Sequence, residues 1–236
     1  MKKIVFLLLS ILGHNEINGQ SKSFAGVRLG SQYSSAYIEH SIFPINLKTG
    51  FIRNQHAGVF YRYYNFKRKN GNALVDFGLQ LGVNYIQRGW KQIFEDGSGI
   101  KPYQATLSYL EVPVEGLVYH GKKNTKLYLT IGVYYERLLY VKLDNSPEES
   151  LLEKVSDEFH TYEPERDRSN GYGIRSSLGL QNKFPFGTLH IEAFTSVSFS
   201  GFIDYGNRTT RLPDQSNLFG IGLSIGYSIG WGKLDF

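Results

Sequence analysis

The chain has 236 residues and a formal net charge of +5, too weak a basic balance to mark a nucleic-acid binder. Its 41% apolar content and mean hydropathy of −0.28 exclude a membrane protein built from several spanning helices. With no cysteine there is no disulfide framework, thiolate metal site or lipidated N-terminal Cys, whereas 17 Tyr, 16 Phe and 26 Gly suit many strands joined by tight turns.

The first element is a targeting signal. Met1-Lys2-Lys3 is a short positive stretch, and residues 4–12 are apolar except for Ser10. Nine residues are too few to cross a bilayer but suit the core of a secretory leader, and His14-Asn15-Glu16 ends the run at once. The pattern predicts export, with a signal peptide over 1–20 and a single domain over 21–236.

From Ser23 onward, residues of alternating character recur in eight segments: 24–33, 56–64, 73–88, 104–119, 126–141, 172–183, 188–199 and 217–231. Successive strand side chains point to opposite faces, so each segment is a ribbon with one apolar face. The last is the clearest. Phe219, Ile221, Leu223, Ile225, Tyr227, Ile229 and Trp231 alternate with Gly220, Gly222, Ser224, Gly226, Ser228 and Gly230. A strand of a water-soluble sandwich would show charge on its second face. Here that face is nearly bare, which suits a large face in lipid and a small face lining a tight lumen. In the fourth segment Pro113 cannot donate a ladder hydrogen bond, which predicts a bulge or a gap in pairing.

Connections alternate long and short, at about 20, 6–8, 15, 6, 30, 4 and 16 residues, as in outer-membrane barrels with long outer loops and short periplasmic turns. The short ones carry hairpin residues, Asn70-Gly71 and Pro185 with Gly187. The expected fold is therefore all-β: an eight-stranded antiparallel up-and-down transmembrane β-barrel with both termini periplasmic. Closure leaves no strand edge unpaired in hydrocarbon.

That assignment sends Arg28, Arg62, Arg88, Arg175 and Lys183 into the lumen against Asp76, Glu111, Glu115, Glu136 and Glu192. Five positive and five negative groups in so narrow a barrel predict a zipped network that fills the interior. A polar path for protons or small ions is the functional alternative. Tyr33, Tyr61, Tyr63, Tyr85, Tyr135, Tyr172, Phe219, Tyr227 and Trp231 face outward near the segment ends, as lipid-interface aromatics. Arg137 shares the outward face, which is tolerable only close to a headgroup interface. Phe236 is out of step with the last segment, so a bulge near 230–233 is expected.

Few residues suggest chemistry. His190, inward beside Glu192 with Ser196 and Ser198 along the same strand, is the one arrangement resembling a hydrolase, and it faces the lumen rather than lipid. No spacing suits zinc and no Gly-rich loop suits a phosphate, so no cofactor, no metal and no catalytic residue is expected. The acidic stretch 143–170 lacks calcium-loop spacing and reads as a solvated outer loop. The basic turns at Lys67-Arg68-Lys69 and Lys122-Lys123 suit either solubility or anionic headgroups of the inner leaflet.

Ser108-Tyr109-Leu110-Glu111-Val112-Pro113-Val114, then Leu129-Thr130-Ile131-Gly132-Val133-Tyr134, resemble the PorT-like outer-membrane β-barrel family of Bacteroidota. The Arg168 to Gly173 run, the Gly-rich last strand and a leader ending near Gly19-Gln20 fit the same pattern. The resemblance covers most of the exported chain. It implies an eight-stranded outer-membrane barrel, usually without known activity, in a family with a secretion-associated namesake. The expected function is a structural or binding role through the extracellular loops, secretion- or envelope-associated. The alternatives are a small-solute porin and, behind it, a lipid-modifying hydrolase. Expected partners are outer-membrane lipids, with the barrel assembly machinery and periplasmic chaperones during biogenesis.

Overall fold

Alternation of side chains shapes every element of the protein. The computed structural model describes residues 21–39, 48–65, 76–92, 101–121, 124–145, 162–164, 167–203 and 215–231. The leader, the turns at 66–75 and 122–123, most of the acidic stretch and the tail with its expected bulge lie outside these. Among the described residues there is no helix, and there are nine strands: β1 (Ser21–Glu39), β2 (Thr49–Gly50), β3 (Ile52–Asn65), β4 (Asp76–Gln92), β5 (Tyr103–His120), β6 (Thr125–Asp144), β7 (Asn170–Phe184), β8 (Gly187–Ser198) and β9 (Gln215–Trp231). β2 is an outer stub of the position held by β3, separated from it by Phe51. It pairs with β4 through Thr49–Gln92 and Gly50–Lys91.

Each long strand pairs antiparallel with its sequence neighbours, and β9 returns to β1 along seventeen partners from Ser23–Trp231 to Glu39–Gln215. The result is a closed eight-position barrel. Its described ends, Ser21 and Trp231, meet at the end that carries the short turns.

The pairing register fixes the shape. One circuit from Arg137 passes through Leu110, Tyr85, Ala57, Leu29, Ile225, Ile191 and Leu180 and returns to β6 at Leu127, a displacement of 137 − 127 = 10 residues. A stagger of that size in eight strands implies a tilt of about 40° and a lumen just wide enough for side chains to fill.

Pro113 leaves a gap rather than a bulge. β4–β5 pairing skips Gly82–Pro113 and Val83–Val112, then resumes in unchanged register at Asn84–Glu111. The bulge lies elsewhere, where Ser108 and Tyr109 face Tyr140 and Leu138 and Leu139 is the extra residue. The strict alternation of loop lengths also fails in the first half of the chain. β1 runs to Glu39 and β3 begins at Ile52, while β4 runs to Gln92 and β5 begins at Tyr103, so the first and third connections shrink to about the length of 66–75. Strands of up to 20 residues in β6 far exceed the roughly 10 that span a bilayer, and the surplus stands at the loop end.

The outward face is apolar. Leu29, Val133, Leu223 and Ile225 each expose more than 60% of their surface, among 35 exposed large hydrophobic residues. No water-soluble barrel is stabilised by so extensive an apolar surface, which is satisfied only against lipid. Inward, glycines admit bulky neighbours. A Cβ at Gly222 would fall 2.6 Å from the Phe194 ring, and one at Gly230 would fall 2.5 Å from the ring of Phe24.

Candidate functional site

The lumen is stacked in three layers. At the turn end Phe24, Tyr64, Leu117, Tyr119 and Tyr128 form one apolar cluster. Tyr64 packs edge-on against Phe24 (5.3 Å) and Tyr119 (4.7 Å), while its hydroxyl donates to Gln181 Oε1 at 2.7 Å. Lys126 Nζ lies 4.9 Å from the Tyr119 ring centre.

The central layer is charged. Glu192 is its hub, meeting Arg28 Nη1 (3.4 Å), Arg62 Nη2 (3.4 Å) and Arg175 Nη2 (3.5 Å) and accepting from the Tyr128 hydroxyl at 3.1 Å. Arg175 also reaches Glu111 (3.4 Å) and Glu115 (3.8 Å), and Arg88 pairs with both Glu111 and Glu136. Asn84 ties the halves together, accepting from Arg28 Nε at 3.1 Å and donating to Glu111 at 2.9 Å. Glu115 is satisfied further by Gln80 and by Thr130 Oγ1 at 2.8 Å. The guanidinium planes lie over aromatic rings: Arg62 over Tyr128 (4.1 Å), Arg175 over Phe194 (4.1 Å) and Arg88 over Tyr134 (4.6 Å). Arginine suits this layer because its planar fork can pair with several carboxylates and stack at the same time.

Eight of the ten lumen charges read from the sequence thus meet in one layer, four of each sign. Lys183 instead stands half-buried near the turn end of β7, and the Asp76 side chain lies outside the described residues.

The third layer closes the loop end. Ala36, Ile38, Ile86, Trp90, Tyr103, Ala105, Leu107 and Tyr109 point inward there and pack on Tyr162, Phe202 and Ile203 from the connections. Trp90 stacks on Phe202 with ring centres 4.7 Å apart. The connections are pinned by their backbone N–H groups, Tyr162 N donating to the Tyr103 hydroxyl at 3.0 Å and Phe202 N to Ser216 O at 2.9 Å. Sequence reading missed this cap. Its signal was the alternation of Tyr103, Ala105, Leu107 and Tyr109, which continues inward past the charged positions.

His190 has a serine partner, and it is neither Ser196 nor Ser198 but Ser228 of the neighbouring strand, with Nε2 to Oγ at 2.7 Å. The pair is wired against nucleophilic chemistry. Its Nδ1 lies 2.9 Å from Arg62 Nη1, and a guanidinium can only donate. Nδ1 therefore accepts, Nε2 carries the proton and donates to Ser228, and no lone pair is free to take the serine proton. Ser198 Oγ donates to Ser200 O at 2.7 Å instead.

The outward aromatics form two bands. Tyr33, Tyr85, Tyr135, Tyr172 and Phe219 lie toward the loop end; Tyr61, Tyr63, Tyr227 and Trp231 lie toward the turn end. At the tilt given above the bands stand roughly 20 Å apart, close to the height of an apolar belt. Between them no outward-facing described residue is charged.

Comparison with known proteins gives one family. The outer membrane protein beta-barrel domain family matches residues 18–236. No curated protein matches the chain. Among solved structures the chain is similar to Ail, the attachment invasion locus protein of Yersinia pestis, solved in complex with the heparin analogue sucrose octasulfate. The identity is 15%, covering 88% of this chain and 99% of that one, with a TM-score of 0.41. It is also similar to the outer membrane protease OmpT from Escherichia coli (7% identity, 92% and 97% coverage, TM-score 0.39). A third is the translocator domain of the autotransporter NalP from Neisseria meningitidis (8% identity, 96% and 94% coverage, TM-score 0.29).

Proposed function

The chain belongs to the outer membrane protein beta-barrel domain family, and from that premise we propose that it is a sealed, non-catalytic barrel. Its lumen is a structural core, and its work is done by the surface at the loop end. In this reading residues 1–20 are a cleaved leader, both termini are periplasmic, and folding proceeds through periplasmic chaperones and the barrel assembly machinery. The resemblance of the Tyr109-Leu110-Glu111-Val112-Pro113 strand and the Gly-rich last strand to the PorT-like barrels of Bacteroidota supports reading the role as secretion- or envelope-associated. The observation that supports sealing is the three-layer filling of the lumen. Arg62, Arg88 and Arg175 are fully buried, and Trp90 with Phe202 caps them. Buried charges held by several partners and stacked on rings do not part for a solute without stranding other charges.

The test is planar-bilayer recording on purified protein, alongside fractionation and a heat-modifiability gel. A heat-dependent mobility shift in the outer-membrane fraction with no single-channel conductance is expected. Steady conductance steps would overturn the sealed lumen in favour of a small-solute porin.

A further inference from the structure

We infer that Arg53 and Arg137 are anchor points for the phosphate of a glycolipid headgroup in the leaflet at the loop end. This rests on the membrane-barrel reading above, with the loop end outermost.

On β3, β4 and β5 the outward residues just above the loop-end aromatic band are polar, with Gln55, Gln87 and Thr106 among them. The first cations met around the wall are these two, although Leu139 and Tyr140 stay exposed beyond Arg137 on β6. Arg53 on β3 pairs across the ladder with Tyr33; Arg137 on β6 stands two residues beyond Tyr135 on the same face. Both side chains are exposed. They occupy well-separated wall positions, yet the register brings them to one level. Three ladder steps from Arg137 to Ala57 descend about 9 Å, and the four residues from Ala57 to Arg53 regain about 10 Å. Two cations at one height suggest a common plane of negative charge.

No described residue supplies that charge. Among the described residues neither guanidinium meets a carboxylate; Arg53 Nε donates only to Ser31 Oγ at 3.2 Å, and no described residue accepts from its Nη donors. This differs from the four lumen arginines, each of which meets a glutamate. Between Arg53 and Arg137 runs a belt of neutral hydrogen-bonding groups. Gln87 Nε2 donates to Tyr85 Oη at 3.2 Å, and Tyr85 donates to Ser108 Oγ at 3.0 Å. Tyr135 Oη donates to Asn170 Oδ1 at 2.8 Å on the far side of Arg137. Amide, hydroxyl and guanidinium groups at the top of an apolar belt match a headgroup made of sugar hydroxyls and phosphate, with its acyl chains on Leu110, Val112 and Val133 below. A cation deeper in the belt would be costly; at this height it costs little and faces the anionic layer.

The experiment uses the exported protein purified from membranes and placed in phosphatidylcholine vesicles containing lipid A with both phosphates or with both removed. Bound lipid is counted by native mass spectrometry. Wild type should retain the phosphorylated form preferentially. R53Q and R137Q should each weaken that preference about fivefold, and the double variant should abolish it, with the heat-dependent mobility shift intact. Equal retention of both lipids by wild type, or an unchanged preference in the double variant, would overturn the inference alone. Displacement of the lipid by inorganic phosphate at low millimolar concentration would also overturn it, by showing a free-anion site. A wild type with no mobility shift would overturn the barrel reading and the inference with it.

Discussion

Two stretches of the same strands obey opposite rules. In the middle of β4, Leu81 and Val83 point out while Gln80 and Asn84 point in; a few residues on, Gln87 points out and Trp90 points in. β5 runs the same course in reverse, from outward Gln104 and Thr106 over inward Ala105 and Leu107 to outward Val112 and Val114 over inward Glu111 and Glu115. The lower section is polar inside and apolar outside, whereas the protruding section has the apolar interior of a soluble protein. One strand thus serves two solvents, and the switch marks the top of the hydrocarbon. The two interiors must also be held differently. The central layer depends on each charge finding partners, because neither lipid outside nor a packed lumen can solvate it. The cap depends on area and shape, and its contacts are individually replaceable.

The largest expected effect comes from breaking the central layer at its hub. Glu192→Gln keeps the shape of the side chain but strands Arg28, Arg62 and Arg175 without their shared carboxylate. Leaving buried charge uncompensated should cost about 3–5 kcal/mol. Urea unfolding in lipid vesicles, read by loss of the heat-modifiable band, measures it; a midpoint unchanged from wild type would mean that the layer is hydrated and not zipped.

Trp90→Ala tests the cap, with a smaller and more local effect. The indole Nε1 has no hydrogen-bond partner among the described residues, so its loss removes packing alone. A cost of about 3 kcal/mol is expected, confined to the protruding section. Hydrogen exchange should rise at 101–107 and 201–203 while the lower strands stay protected. Uniform loss of protection would show that cap and central layer unfold as one unit.

The same reversal explains what the sequence disclosed and what it hid. The eight ribbons, their inward and outward faces and the central charges were legible because period-two alternation with one fixed polarity is strong where lipid lies outside and the lumen inside. Beyond that level the polarity inverts and the template ends. It therefore closes the first ribbon at Tyr33, although β1 continues to Glu39 and carries Ala36 and Ile38 into the cap. Ser228 as the partner of His190 was hidden for another reason. Inter-strand register depends on the stagger of the closed barrel, and adjacency along one strand pointed to Ser196 and Ser198 instead.

The smallest effect separates the two faces at a single atom. A Cβ at Gly222, on the lumen face of β9, would lie 2.6 Å from the Phe194 ring, 2.7 Å from Gln32 Cβ and 2.7 Å from Ser31 O. At Gly116, on the lipid face of β5, the nearest atom is 3.6 Å away. Both substitutions remove the same backbone freedom from the unfolded chain, so that contribution cancels in the comparison. Gly222→Ala must then carry the cost of overpacking, about 1–3 kcal/mol, because Phe194 is also the platform for Arg175 and cannot retreat without loosening the charged layer. Gly116→Ala should be neutral or slightly stabilising. Parallel urea titrations of the two variants decide the matter. If both behave alike, the lumen yields as readily as lipid, and the close packing that distinguishes the two faces of the wall is not what holds the barrel.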